Sequence, residues 1–152
     1  MSDFTPNGFP VLNSDSRNLT TIHIAGRAFT VCREAVDAHT RFLQFLNAVT
    51  PFDKDVKSYC GAYDKRVNTN NHSVWSEHSG GGAFDIKASL HPNGVKLPAG
   101  WNSTQIDMIH WYLGSTVTGR LYNWGGDFKH TVDSMHFEIK SYSALLEFNK
   151  KH

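Results

Sequence analysis

Two short segments of the chain combine histidine with aspartate at spacings that could bind a metal ion. In residues 76–85, His78 lies in a glycine-rich stretch, and Asp85 follows seven positions later between two apolar residues. In residues 133–138, an aspartate precedes His136 by three positions. A catalytic zinc site uses about three His, Asp or Glu side chains and keeps a further position for water. Together the two segments contain enough ligands for such a site.

Neither segment is specific by itself. A single histidine beside a carboxylate is usually a surface ion pair or a hydrogen-bonded core residue. A run of three glycines, such as residues 80–82, is usually a loop. The interpretation therefore depends on the two segments occurring together and in this order.

Both segments match motifs of a known enzyme family. They resemble the D-alanyl-D-alanine carboxypeptidase and L-alanyl-D-glutamate peptidase family, which includes many bacteriophage endolysins. Its members share Ser-x-His-x-x-Gly-x-Ala-x-Asp and a downstream Asp/Glu-x-x-His, which Trp-Gly-Gly-Asp often precedes. The matching residues in this chain are Ser76, His78, Gly81, Ala83, Asp85, Trp124, Gly125, Gly126, Asp127, Asp133 and His136. The resemblance extends over roughly residues 30 to 140.

The resemblance implies a role for the polar residues of both motifs. His78, Asp85 and His136 would bind one Zn²⁺ ion, and Asp133 would accept a proton from the zinc-bound water. Zinc lowers the pKa of such a water to about 7, and a nearby carboxylate can pass the proton to the departing amine. From the residues alone, Asp133 could instead cap a helix or a turn.

Three further residues are candidates for contacts with the substrate. Many family members have an arginine shortly before the first motif, which helps to stabilise the developing oxyanion. Arg66 is the match here, although the tyrosine that often precedes this arginine directly is absent, and a solvated arginine is the alternative. Ser76 could contact the substrate or brace the histidine loop. Trp124 could line the cleft or pack in the core.

The resemblance implies a zinc metallopeptidase that hydrolyses an amide bond in the stem peptide of bacterial peptidoglycan. Two reactions are open: endopeptidase cleavage between L-Ala and D-Glu, and removal of the terminal D-Ala by a carboxypeptidase. The first residues lack the basic segment and apolar run of a secretory signal. This favours an endolysin-like endopeptidase that is made in the host cytoplasm and acts at the cell wall.

A hypothesis of another class is a catalytically silent, zinc-stabilised domain that binds the cell wall, since a signalling relative of this fold has lost turnover. Such a domain would bind metal without hydrolysing the wall. Asp133 argues against it, because a purely structural zinc site needs neither an open coordination position nor a neighbouring base.

The elements that must position these residues are predicted from apolar periodicity and turn residues. The predictions are a hairpin over residues 20–31, an amphipathic helix over 34–49, strands over 83–87 and 135–139, a helix that begins near Ser103 with Ser103 or Thr104 as its cap, and a helix over 141–149. Residues 1–18 are predicted to form an irregular N-terminal arm, and residues 61–82 a long loop.

This mixture predicts an α+β fold: a single domain over residues 1–152, with a small antiparallel sheet and flanking helices. The resemblance adds that the fold is similar to that of hedgehog proteins and D-Ala-D-Ala peptidases. The chain is 39% hydrophobic with a net charge of +1, so it has neither a membrane-spanning run nor the basic field that a nucleic-acid partner needs. We expect a monomer. Cys32 and Cys60 could pair, but two isolated thiols without a CxxC spacing are more often reduced.

Overall fold

The computed structural model describes residues 1–152 and contains three α-helices and two small antiparallel sheets. In chain order, the elements are β1 (Leu19–Ile24), β2 (Arg27–Cys32), α1 (Val36–Val49), β3 (Ala83–Asp85), α2 (Ser103–Ser115), β4 (Tyr122–Trp124), β5 (His136–Ile139) and α3 (Tyr142–Lys151). This arrangement confirms the predicted α+β class. None of the helices combines the length and the apolar character that crossing a membrane requires.

Strands β1 and β2 form the predicted hairpin, which is a separate two-stranded sheet. Ala25 and Gly26 in its turn have φ values of 49° and 77°. Positive φ at both central residues is the geometry of a type I′ turn, whose twist matches that of the flanking strands. Phe29 and Val31 of β2 are fully buried, so the hairpin closes one side of the core.

Helix α1 packs its apolar side into the core, as the sequence pattern predicted. Ala38, Phe42 and Leu46 follow one another at intervals of four residues and are fully buried. The ring of Phe42 makes edge contacts with Phe84 and Phe137 of the three-stranded sheet. The helix therefore fixes the sheet that carries the candidate site.

The three-stranded sheet has β5 in its centre, between β3 and β4. Phe84 of β3 is paired with Phe137 of β5, and their rings stack with centroids 5.3 Å apart. Because successive side chains of a strand point to opposite faces, the residues on either side of each phenylalanine face away from the core. We define an apolar face (Phe84, Tyr122, Trp124, Phe137 and Ile139) and a polar face (Asp85, Asn123, His136 and Glu138).

The cap of helix α2 differs from the prediction. Asn102, not Ser103 or Thr104, is the N-cap: its side-chain oxygen accepts a hydrogen bond from the backbone N–H of Gln105. The side chain of Gln105 accepts one from the backbone N–H of Asn102 in return. This reciprocal capping box satisfies two N–H groups at once, which a serine or threonine one position later would not achieve with Gln105.

The N-terminal arm, residues 1–18, forms no helix or strand beyond an isolated bridge, yet it is firmly packed. Phe9 is 1% exposed and lies over the glycine-rich loop. A Cβ on Gly80 would come within 2.5 Å of Phe9, and one on Gly82 within 2.7 Å. The two glycines therefore make room for Phe9, which holds the arm against the loop that carries His78.

Candidate active site

The side chains of His78, Asp85 and His136 converge on the polar face of the sheet. Nε2 of His78 lies 3.1 Å from Nδ1 of His136 and 3.2 Å from Oδ2 of Asp85. The other oxygen of Asp85, Oδ1, lies 3.2 Å from Nδ1 of His136. These residues form the one group of histidine, cysteine and carboxylate side chains in the chain that could hold a metal ion; the other histidines lie outside it. We call them the His-Asp-His cluster.

Strand pairing explains how two members of the cluster meet. Asp85 of β3 and His136 of β5 are direct cross-strand partners. Neighbouring side chains on one face of an antiparallel pair have Cβ atoms only about 5 Å apart. The register of the sheet is therefore what brings a carboxylate and an imidazole from distant parts of the chain into contact.

His78 reaches the cluster from a short 3₁₀ helix, Glu77–Gly80, rather than from a featureless loop. Ser76 caps this helix, because its Oγ accepts a hydrogen bond from the backbone N–H of His78. The helix ends at Gly81, which has a φ of 71°, and a Cβ there would lie 2.3 Å from the backbone nitrogen of Cys32. Gly81 is therefore required both by its left-handed φ and by its close approach to β2.

Hydrogen bonds on the outer side of each imidazole fix which nitrogen faces the cluster. Nδ1 of His78 lies 2.7 Å from the carbonyl oxygen of Ala62, which can only accept, so Nδ1 carries the proton. Nε2 of His136 lies 2.8 Å from Oε1 of Glu138, and an ionised carboxylate likewise only accepts. In each neutral ring, the remaining nitrogen presents its lone pair to the cluster.

The pKa values show that the cluster stabilises positive charge. Burial acts to raise the pKa of Asp85, but the charges and hydrogen bonds of His78 and His136 hold it well below its ordinary value. Burial acts to lower the pKa of His136, but its hydrogen bonds to Asp85 and Glu138 raise it to about 10. A cation is thus electrostatically favoured between these side chains.

The chemistry and spacing of the cluster fit a zinc ion. Two imidazoles and one carboxylate are a common ligand set for catalytic zinc. Bonds of about 2.0–2.1 Å in a tetrahedron separate ligand atoms by about 3.3 Å. The observed separations of 3.1 and 3.2 Å are close to this value. Three ligands also leave one of four positions for water or substrate.

Asp133 lies beside the cluster in the turn that leads into β5. Its backbone N–H donates to the carbonyl of Gly125, and its own carbonyl accepts from the N–H of His136. Burial raises the pKa of the Asp133 carboxyl, and its Oδ1 is buried without a hydrogen-bond partner. A carboxyl group whose pKa is raised towards neutrality is suited to proton transfer.

Gly125 and Gly126 are required by packing around this turn. A Cβ on Gly125 would lie 2.0 Å from the carbonyl oxygen of Asp133, and one on Gly126 would lie 2.5 Å from the indole of Trp124. Trp124 itself is 1% exposed, and its Nε1–H donates to the carbonyl of Ser134 at 2.9 Å. Trp124 therefore packs in the core and does not line the cleft over the cluster, so its position does not support a substrate contact.

A cleft of about 230 Å³ opens over the His-Asp-His cluster. Only two of its 14 lining residues are hydrophobic, which suits a peptide or another polar ligand better than an apolar one. Besides the cluster and Asp133, the lining residues include Arg66, Ser76, Asn93 and Phe128.

Arg66 and Ser76 lie in the cleft but differ in what they can offer a ligand. The side chain of Arg66 is 39% exposed, and its guanidinium contacts Oδ2 of Asp64 at 3.1 Å. A five-donor guanidinium can keep this contact and still bind a further oxygen. Ser76 is 4% exposed and its oxygen already accepts from His78, which is a bracing geometry.

Residues 69–139 match the family model described as D-alanyl-D-alanine carboxypeptidase. The matched range contains the whole His-Asp-His cluster and Asp133. The match supports the family that the sequence motifs resemble. It also supports a hydrolase, in agreement with a cluster that fits a catalytic metal. Comparison with curated proteins and with solved structures gives no match.

Sequence reasoning missed two residues next to this candidate site. Glu138 follows His136 by two positions in β5, so strand alternation alone would have placed both on one face. Asn7 contacts Glu138 from the N-terminal arm, and no periodicity or motif indicated it. Asn7, like Arg66, lies outside the range that matches the peptidase family.

Proposed function

We propose that the protein is a zinc peptidase that hydrolyses an amide bond in the stem peptide of bacterial peptidoglycan. The observation that carries the proposal is the convergence of His78, Asp85 and His136 beside Asp133 in one polar cleft. The three cluster residues would hold the ion, and Asp133 would exchange protons with the reacting groups. The peptidase family supports the reaction class and, through it, the substrate class.

Asp133 is the proposed general base and then the general acid. His78, Asp85 and His136 would hold zinc, which would supply a Lewis acid for the amide carbonyl and for the attacking water. Asp133 accepts a proton from the water as the water oxygen bonds to the amide carbon. It returns this proton to the nitrogen as the carbon–nitrogen bond breaks, so the carboxylate ends the cycle ionised. The raised pKa of Asp133 brings both transfers closer to neutral pH.

Arg66 is the proposed stabiliser of the carbonyl oxygen as that oxygen becomes negative. It lies on the wall of the cleft and is partly exposed. A donor aimed at developing charge contributes more than one that binds the substrate and transition state equally. Ser76 takes part in no step of this mechanism. Its Oγ accepts a hydrogen bond from the backbone N–H of His78 and so holds that ligand residue in place.

Within this substrate class we propose cleavage between L-Ala and D-Glu, as an endolysin at the bacterial wall would perform. The second candidate is removal of the terminal D-Ala, which the description of the matching family favours. Mass spectrometry of the products from defined peptidoglycan separates the two. The endopeptidase releases peptides that begin with D-Glu, whereas the carboxypeptidase releases free D-Ala and leaves the rest of the stem attached.

Digestion of purified cell walls tests the proposal. We expect Asp133→Ala to lower the rate by about 10²–10⁴-fold, the usual contribution of a general base. The metal-chelated wild type should be inactive and recover with zinc. Asp127→Ala is a matched control, because Asp127 is exposed and pairs with His110 outside the cleft. A wild type that binds zinc but releases no product would refute the peptidase and favour the catalytically silent zinc-stabilised domain.

A further inference from the structure

The N-terminal arm reaches the polar face of the sheet through the side chain of Asn7. Its Nδ2 donates one hydrogen bond to Oε2 of Glu138 and a second to the backbone carbonyl of Ile139, both at 2.8 Å. Both acceptors belong to the end of β5, the central strand. One amide group therefore fixes the Glu138 carboxylate relative to the backbone of its own strand.

Glu138 connects Asn7 with the His-Asp-His cluster. While Asn7 binds one carboxylate oxygen, the other lies 2.8 Å from Nε2 of His136. An ionised carboxylate can only accept, so Nε2 of His136 must carry a proton to make this bond. When the ring is neutral, as a metal ligand must be, the lone pair is on Nδ1, which is the atom that faces His78 and Asp85.

We infer that Asn7 is a positioning residue of the metal site: it orients Glu138, which in turn fixes the tautomer and ring orientation of His136. The inference rests on the proposed function, because the tautomer matters only if Nδ1 of His136 binds an ion. Partners that orient metal ligands typically change metal affinity by 10–100-fold. Asn7 acts one hydrogen bond further out, so we expect a loss of about 3–10-fold on its removal.

The side chain of Asn7 can be changed without detaching the arm. The backbone N–H of Asn7 donates to Oε2 of Glu77, and its carbonyl accepts from the N–H of Tyr142. Phe9, two positions later, is buried over the glycine-rich loop. These contacts do not involve the side-chain amide of Asn7. A substitution of that side chain therefore tests the link to Glu138 rather than the packing of the arm.

Zinc affinity, measured by competition with a chromophoric chelator, tests the inference. We expect Asn7→Ala to weaken binding by about 3–10-fold and the isosteric Asn7→Asp by at least as much, since it sets a second carboxylate against Glu138. Excess zinc should restore the rate of wall digestion in both variants. Asn13→Ala is the control, because Asn13 is in the same arm but binds the exposed Lys65.

NMR of the His136 ring in the zinc-loaded proteins supplies a readout that simple loss of stability does not move. The Nε2–H proton that binds Glu138 should exchange slowly with solvent in the wild type and in Asn13→Ala, and faster in the Asn7 variants. Wild-type zinc affinity and exchange rate in Asn7→Ala, or in Asn7→Asp if the alanine variant does not fold, would overturn the inference. So would an equal loss in Asn13→Ala. Both results leave the zinc peptidase proposal intact, whereas a wild type that binds no zinc refutes both.

Discussion

Each face of the three-stranded sheet has a buried histidine, His39 of α1 on the apolar side and His136 of β5 on the polar side, and the two environments shift the histidine pKa in opposite directions. On the apolar side, His39 contacts the hydroxyl of Tyr122 and the carbonyl of Gly81, and burial lowers its pKa to about 4. On the polar side, burial also acts to lower the pKa of His136, but two neighbouring carboxylates raise it to about 10. Burial is common to both; the charged partners are not.

This difference separates a structural histidine from a candidate ligand. His39 Nε2 must donate to the carbonyl of Gly81, so its Nδ1 accepts from Tyr122 and no lone pair is left over. The ring ties helix α1 to the loop that carries His78. His136 has an outer hydrogen bond to Glu138, and its second nitrogen faces the other two ligand residues. A buried histidine is therefore informative only when its partners are known.

The largest expected effect is the loss of zinc affinity when a ligand on the polar face is removed. His136→Ala removes one of the three ligands, so zinc affinity should fall by more than about 100-fold. This is more than the loss expected when a residue that only hydrogen-bonds a ligand is removed. Wall digestion should fall below detection. His39→Phe keeps a ring in the core and should retain zinc binding. Chelator competition measures both; a similar loss of affinity in the two variants would contradict the contrast drawn between them.

The next effect concerns the turn beside the cluster. Gly125→Ala places a Cβ where the carbonyl oxygen of Asp133 now lies, so the backbone must move and carry the carboxylate with it. A displacement of about 1 Å can cost about 100-fold in rate. Zinc binding should change much less than kcat. Gly114→Ala is the control, since a Cβ there meets nothing within 4 Å. An unchanged kcat in Gly125→Ala would show that Asp133 tolerates the shift.

The last expected effect leaves zinc binding and rate at neutral pH unchanged, and is the pH dependence of stability on the apolar side. The pKa of His39 is 6.5 in the reference state and about 4 in the fold, so the unfolded chain takes up a proton first as the pH falls. Stability that is fully present above pH 6.5 is therefore lost as the pH approaches 4, by on the order of 3 kcal/mol.

Urea unfolding of the metal-free wild type and of His39→Phe between pH 7 and 4 measures this loss. The wild type should lose free energy of unfolding more steeply than the variant over this range. Parallel pH profiles for the two proteins would mean that His39 does not contribute, and that burial is a poor guide to its pKa.

Much of the fold followed from local signals. The apolar intervals of α1, the Ala25-Gly26 turn and the alternation around His136 predicted elements that the structure contains. The sequence did not predict strand β4, because the strand has only three residues and is followed directly by Gly125, which is typical of a turn. Its pairing with β5 is a tertiary effect, and three residues carry too little periodicity to reveal it.

The candidate site was predictable for residues in the two motifs, because the motifs occur in the order that the family has. The resemblance of residues 76–85 and 133–138 to the family motifs implied the three cluster residues, which the structure brings together. Trp124 shows the limit: its place in a motif suggested a cleft residue, but the side chain fills the core. The contact between Asn7 and Glu138 spans 131 positions and depends on the path of an irregular arm, which no local pattern encodes.

Strands β3 and β5 hold both ends of residues 86–135, because Asp85 and His136 are paired in the sheet. Asn93 and Phe128, within this stretch, contribute walls of the cleft. Insertions or deletions in its surface loops would alter which peptides are admitted, while the spacing of the anchored side chains stays set by the strand register. Selectivity can thus diverge between relatives without rebuilding the catalytic centre.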